Sequence, residues 1–387
     1  MDKRPLRFDW RLIAGLLAIP VVVIVATGVR GLMSLSPTAT PSPTAQTTPT
    51  QQSIVHAPLP VTVVPTPGVT VAPPIPSPRE MTAMAYDGVH DDIVMFGGTG
   101  FSADTAPPPK NDTWTFDATG WRQQHPRTSP PPLEDLLMTE DPNTHDLLLV
   151  GLSSPDLPNA AVETWLWNGQ TWTRATDLPA NEPPISMATL IAAREVVLIT
   201  YAESPGRTTP PMETHTWTWD GSKWSLRSPP TGLPLGGASP TLIGNPASRR
   251  VIALTSTTPD TGPQTWSWDG RTWSLVAASN QPPYDPITAS GAEDPRSGDV
   301  VVYMGGGDSR TGGVTWILDS DGWHLADATS PALDTDYHGA HLLADTNLRA
   351  VIVIAGAGRP NPLNSLWTFT GAHWIAVSPT ALGPPRT

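Results

Sequence analysis

The chain has 387 residues, no cysteine, 47 prolines, 32 glycines, 16 tryptophans and a formal net charge of −13. The missing cysteine excludes a disulfide scaffold, a thiolate metal site, a cysteine nucleophile and a lipid attached through a lipobox cysteine. Charged residues make up only 15%, too few for a coiled coil, and the acidic balance argues against a nucleic-acid binder, which needs basic surface to displace counterions.

Residues 1–11 form a short basic tail carrying Lys3, Arg4, Arg7 and Arg11. Leu12 to Val29 then runs for 18 residues without a charge and is closed by Arg30. At 1.5 Å per residue this is about 27 Å of helix, enough to cross a thin hydrocarbon core. Pro20 lies inside the run, which a membrane helix tolerates because its surroundings re-satisfy the backbone. The sequence therefore predicts a signal-anchor helix over 12–33. The basic tail puts the N-terminus in the cytoplasm and the rest outside, since no basic residue lies between Gly31 and Pro78. The alternative is a cleaved signal peptide and a secreted protein; Ala26-Thr27-Gly28 is a poor cleavage site for it.

Residues 34–79 read as a disordered stalk. Ser36 to Pro78 holds 12 Pro, 13 Ser or Thr and no charged side chain, and such a segment buries too little apolar surface to offset its ordering entropy. Kept extended by proline at about 3.1 Å per residue, it reaches on the order of 100 Å. Val61–Val71 is its one β-prone part and a candidate extra edge strand.

From residue 80 to 380 the chain repeats. The clearest units are ETWLWNGQTW (163–172), HTWTWDGSKW (215–224) and QTWSWDGRTW (264–273); looser copies start at Asp112, Val314 and Ser365. The first tryptophans are Trp114, Trp165, Trp217, Trp266, Trp316 and Trp367, spaced by 51, 52, 49, 50 and 51. Seven residues after each comes a closing tryptophan: Trp121, Trp172, Trp224, Trp273, Trp323 and Trp374. The alternating first half of each unit has the period of a strand, and Asn168-Gly169, Asp220-Gly221 and Asp269-Gly270 supply tight turns. Upstream of each hairpin lies a nearly continuous apolar run, such as LLLVG (147–151) or VVLIT (196–200), as expected of a strand covered on both faces. A weaker strand precedes each run. Four strands per unit of about 50 residues, six times over, is the pattern of a six-bladed β-propeller, an all-β fold. Each repeat supplies a complete blade, which leaves two closures open: blade six packed on blade one without an exchanged strand, or blade six completed by Val61–Val71. Residues 381–387 are a C-terminal tail.

The run AYD (85–87), FGG (96–98), NDTWTFD (111–117) and then Trp121 resembles a kelch repeat, in which a strand ending in Gly-Gly is followed by a strand bearing Tyr or Trp and then by a Trp on the outermost strand. Blades two to four have lost the double glycine and keep only the tryptophan hairpins. The resemblance implies a kelch-like propeller whose site lies on the loops joining second and third strands. Those loops are 99–110, 152–162, 201–214, 256–264, 308–313 and 357–364.

Recurrence at one structural position in every blade marks the tryptophans as packing residues, not a sugar-stacking platform. The loops offer few polar or aromatic groups. Asp308 and Arg310, beside Arg359 on the next blade, form the sharpest cluster, since the guanidinium fork suits carboxylates and phosphates. Arg207, Glu203, Tyr284 and Tyr337 complete the candidate ligand-binding set. His338 and His341 form an H-x-x-H, but residues three apart on a strand face opposite sides and cannot share a metal. No cofactor and no metal site is expected.

A galactose-oxidase site of the kelch kind needs a tyrosine–cysteine crosslink and cannot form here. Sialidase-type chemistry would need three converging arginines, and Arg207, Arg310 and Arg359 are the only ones on these loops. The sequence names no catalytic constellation. The reading it favours is an anchored extracytoplasmic propeller that binds an envelope or extracellular protein or a glycan, holds the membrane through its N-terminal helix and takes no nucleic acid. The alternatives are a carbohydrate-active enzyme of sialidase or sugar-isomerase type, and a structural surface spacer with no ligand. From Arg79 onward 17 basic and 33 acidic residues leave 17 − 33 = −16, a field that repels polyanions.

Overall fold

The computed structural model describes residues 75–100, 107–153, 161–179, 182–201, 214–227, 233–235, 239–256, 262–283, 289–304, 313–326, 340–355 and 365–377. These all belong to the compact unit Val69–Thr387; a second unit spans Met1–Gly68. Among the described residues no helix is long and apolar enough to cross a membrane. The expected anchor over 12–33, the stalk and the extra strand at Val61–Val71 lie outside them.

Six four-stranded antiparallel sheets follow one another along the chain, each made of consecutive strands. Blade 1 is Ala83–Asp87, Asp92–Phe96, Thr113–Asp117 and Gly120–Gln124. Blade 2 is Glu134–Glu140, Leu147–Leu152, Val162–Trp167 and Trp172–Arg174. Blade 3 is Pro184–Leu190, Glu195–Tyr201, Thr214–Trp219 and Trp224–Leu226. Blades 4, 5 and 6 begin at Thr241–Asn245, Ala289–Glu293 and Ala340–Asp345 and end at Trp273–Leu275, Gly322–Leu325 and Trp374–Val377. The first strands of successive blades lie against one another all the way round, blade 6 against blade 1 included, and form the inner ring. Blade 6 is completed by its own four strands, so the ring closes by packing and not by strand exchange.

The core is six layers, one per junction. Each apolar cluster joins two neighbouring blades, and the sixth joins Ile352, Ile354 and Leu366 of blade 6 to Met95, Trp114 and Trp121 of blade 1. Second strands supply the deepest residues: Leu147, Leu148, Leu149, Val196, Val197 and Val351 are all 0% exposed. That burial on both faces is why their sequences run apolar without alternation.

The tryptophans knit the layers in a repeated way. Within a hairpin the third and closing positions pair across strands, as in Trp167–Trp172, Trp219–Trp224 and Trp268–Trp273, with ring centroids 5.2, 5.5 and 5.3 Å apart. The closing indole N–H then donates to a threonine hydroxyl of the preceding blade. Trp172 reaches Thr113, Trp224 Thr164, Trp273 Thr216, Trp323 Thr265 and Trp374 Thr315, at 2.8–3.0 Å. Each threonine stands directly before a first-position tryptophan; in blade 6 that place is held by Leu366. A buried tryptophan removes about 150–250 Å² from water, worth a few kcal/mol each.

The double glycine of blade 1 has a local cause. Gly97 and Gly98 both have positive φ, 67° and 87°, and a Cβ on Gly98 would meet Glu80 O at 2.7 Å. The bend lets Thr99–Gly100 pair with Arg79–Glu80 on top of the blade.

Candidate functional site

Antiparallel order puts the connections between second and third strands, and those between blades, on one face of the disc. The turns between first and second strands and the hairpin tips lie on the other. The predicted ligand residues Glu203, Arg207, Tyr284, Asp308, Arg310, Tyr337 and Arg359 all lie outside the described residues. His338 does too, while His341 sits on the inner strand of blade 6 with Nε2 3.2 Å from Thr82 Oγ1 of blade 1. Among the described residues no group of three or more His, Asp or Glu is placed to hold a metal.

What the described part of the loop face shows lies on blades 2 and 3. The inner strand of blade 2 carries a β-bulge between Glu134 and Leu137, and that of blade 3 one at the same level between Pro184 and Ser186. In the first bulge Asp135 adopts φ = 49°, a left-handed conformation that Asp and Asn accept more readily than other side chains. Bulges re-aim side chains, and this one sets a carboxyl where burial, seconded by the charge of Glu134, pushes its pKa up to about 6. No hydrogen bond or ion pair holds the Asp135 carboxyl among the described residues. Tyr201, at the end of blade 3's second strand, feels its charge; burial first, with Asp135 adding, raises the phenol pKa against a hydrogen bond with Ser239. Asp135 is thus a carboxyl whose pKa is raised towards neutrality and which has no partner among the described residues, near the half-buried Tyr201 at the loop end of the inner ring. Sequence reading missed it, because a bulge leaves no periodic signal.

Three other carboxyls of this face, Asp112, Glu163 and Glu182, are committed to structure. Asp112 takes the Trp114 indole at 2.7 Å and both arms of Arg79, which is 1% exposed and also donates to Gly97 O at 2.9 Å. Burial opposes ionisation of Asp112, but the Arg79 and Trp114 hydrogen bonds lower its pKa overall. Glu163 takes the Trp165 indole at 2.9 Å, with Arg174 stacked 5.9 Å above that ring. In blade 3 the corresponding residue is His215, and the acid comes from Glu182 instead.

The opposite face carries a second repeat that the sequence also hid. Asp87, Asp141, Asn245, Asp294 and Asp345 end inner strands, and their side chains accept the backbone N–H groups of the turns that follow. Four residues on, each turn closes with a positive φ, at Asp91, His145, Arg249, Gly298 and Arg349. These are Asx turns, a structural use of the carboxylates. Beside Asp87, burial and then the Asp87 charge push Asp92 up to about 7, and its buried Oδ1 has no hydrogen-bond partner. A cavity of about 250 Å³ opens between blades 5 and 6, lined by Asp294, Arg296, Asp299 and Phe369 among others, but Arg296 is already held by Asp294 and Phe369 O.

The fold has solved counterparts. The chain is similar to the α-L-arabinanase of Penicillium chrysogenum solved with arabinobiose: TM-score 0.51, 12% identity, covering 79% of this chain and 96% of that one. AofleA of Arthrobotrys oligospora is similar at TM-score 0.50 and 13% identity, over 78% and 86% of the two chains. At such identities the likeness shows a six-bladed propeller and nothing finer. No protein-family profile matches the sequence, and no curated protein does. The kelch family itself therefore stays a resemblance of motifs.

Proposed function

We propose that the chain is a carbohydrate-active enzyme displayed outside the membrane on an anchored stalk, cleaving glycosidic bonds at the loop end of the inner ring. The observation that carries this reading is Asp135. Glycoside hydrolysis needs one carboxyl that enters the reaction protonated and a second that enters ionised. A pKa pushed up to about 6 by burial suits the first role. In this reading Asp135 donates its proton to the leaving glycosidic oxygen. For the second carboxylate the sequence offers Glu203, two residues after Tyr201, and Asp308, two residues before Arg310. The arabinanase among the structural counterparts supports pentose-containing glycans as the first substrates to try.

The test is release of reducing ends from arabinan, arabino-oligosaccharides and a panel of hexose polymers by the full-length chain and by Asp135→Asn. Loss of a proton donor lowers turnover by about 10²–10⁴-fold. Equal turnover in both proteins refutes the assignment of Asp135, and no turnover on any glycan refutes the enzyme. The second reading, a binding module for a glycan or an envelope protein, is favoured by the order of anchor, stalk and rigid disc. It would show as saturable binding without release of product.

A further inference from the structure

We infer that His215 is a second ligand-contacting residue of the loop face, its Nε2 held as a hydrogen-bond acceptor for a sugar hydroxyl by the buried Glu182; this rests on the glycan reading above. The repeat breaks at one position of the hairpin. The residue two before the first tryptophan is Asp112 in blade 1 and Glu163 in blade 2, and each accepts its own tryptophan's indole N–H. Blade 3 has His215 there, and the acid is brought in from Glu182, 35 residues from Trp217 in sequence.

Packing does not demand the exchange. Blades 4 and 5 carry Gln264 and Val314 at the same position, and the indole N–H groups of Trp266 and Trp316 have no hydrogen-bond partner among the described residues. The blade tolerates an unbonded first-position tryptophan, so Glu182 is not there to rescue a fold. It is nonetheless fully engaged. One oxygen accepts Thr200 Oγ1 at 2.6 Å and Trp217 Nε1 at 3.2 Å; the other faces His215 Nδ1 at 2.7 Å. Three groups thus converge on one residue that is only 8% exposed.

The consequence is a fixed tautomer. A carboxylate only accepts, so Nδ1 donates to Glu182, and in the uncharged ring it is Nε2 that keeps the lone pair. The His215 side chain is 38% exposed, against 11% for that of Glu182, so the ring reaches solvent from an anchored base. In that form the ring is an oriented acceptor on a strongly acidic disc, which favours a neutral hydroxyl-bearing ligand over an anionic one. His215 follows Thr214, the strand partner of Tyr201, so it stands on the same end of blade 3 as the residue that senses Asp135.

Two variants of the full-length chain test this. In Glu182→Gln the amide oxygen stays with Thr200 and Trp217, so the NH₂ group turns to Nδ1. Nδ1 must then accept, and the proton moves to Nε2. Long-range ¹H–¹⁵N spectra of ¹⁵N-histidine-labelled protein should show the Nδ1–H form of His215 in the wild type and the Nε2–H form in Glu182→Gln. An Nε2–H wild type overturns the inference. In His215→Asn the amide keeps a donor for Glu182 but supplies no Nε2. It should melt with the wild type and bind arabino-oligosaccharides about tenfold more weakly by calorimetry. Unchanged affinity in a folded His215→Asn overturns the inference alone. A wild type that binds no oligosaccharide, arabinan- or hexose-derived, overturns it together with the glycan reading.

Discussion

Asp135→Asn should make the propeller more stable, not less, and only above acid pH. The substitution keeps shape, and Asn accepts the left-handed backbone of the bulge as readily as Asp. What it removes is a carboxyl whose pKa rises from 3.8 to about 6 on folding. A raised carboxyl binds its proton more tightly in the folded state, so it costs nothing below pH 3.8 and its cost grows as pH rises through about 6. The full difference, roughly 2 pKa units at about 1.4 kcal/mol each, is about 3 kcal/mol at pH 8. Near pH 5 about half remains, and near pH 4 about 0.5 kcal/mol. For a domain of this size the gain at pH 8 corresponds to on the order of 5 °C in Tm. Calorimetric melts of wild type and variant from pH 4 to 8 check it: the curves should converge in acid and part towards pH 8. Equal or lower Tm for the variant at pH 8 refutes the picture of a buried, unpartnered carboxyl, and with it the main support for Asp135 as proton donor.

Four further outcomes follow from the packing and the charges. Trp273→Ala should cost about 3–5 kcal/mol in chemical denaturation, because it empties the layer between blades 3 and 4; Thr216→Val, which only strips the Trp273 N–H of its acceptor, should cost about 1–3 kcal/mol. Arg79→Met should lose about 3–5 kcal/mol by leaving Asp112 without its cation, and a loss below 1 kcal/mol by the same measurement would refute the clasp. Asp92→Asn should raise Tm at pH 8 but not at pH 4, since burial holds that carboxyl's pKa up to about 7 and its cost likewise vanishes in acid.

The blades were legible because their signal is periodic and local. A closing tryptophan faces the third hairpin position at a fixed cross-strand register, Trp219 with Trp224 or Phe369 with Trp374, so the spacing survives even where Trp is replaced by Phe or Leu. The candidate site was not legible, for three different reasons. Asp135 depends on an extra residue in one strand, which shifts register without leaving a pattern. Glu182 and His215 meet across 33 residues, a contact that composition cannot disclose. The residues that sequence did single out, Arg310 and Arg359 foremost, stand on loops outside the described structure.

In a repeat fold, what every unit shares is what the ring needs, and what one unit has alone needs another explanation. The indole-to-threonine bond joins five junctions, and the Asx turn closes five inner strands; both are ring-building devices. Where they fail, the replacement is bland. Leu366 stands for threonine at the seam and packs against the last layer, and Leu190 stands for the turn acid in blade 3 and is 1% exposed. The departures around the loop end of blades 2 and 3 differ in kind. They add an unpartnered carboxyl, a buried glutamate and an oriented imidazole, groups that cost stability or need support. Leucine fills the two positions where the ring-building devices lapse, so packing alone does not account for these three. Their concentration at one end of two adjacent blades is the strongest ground for placing the chemistry there.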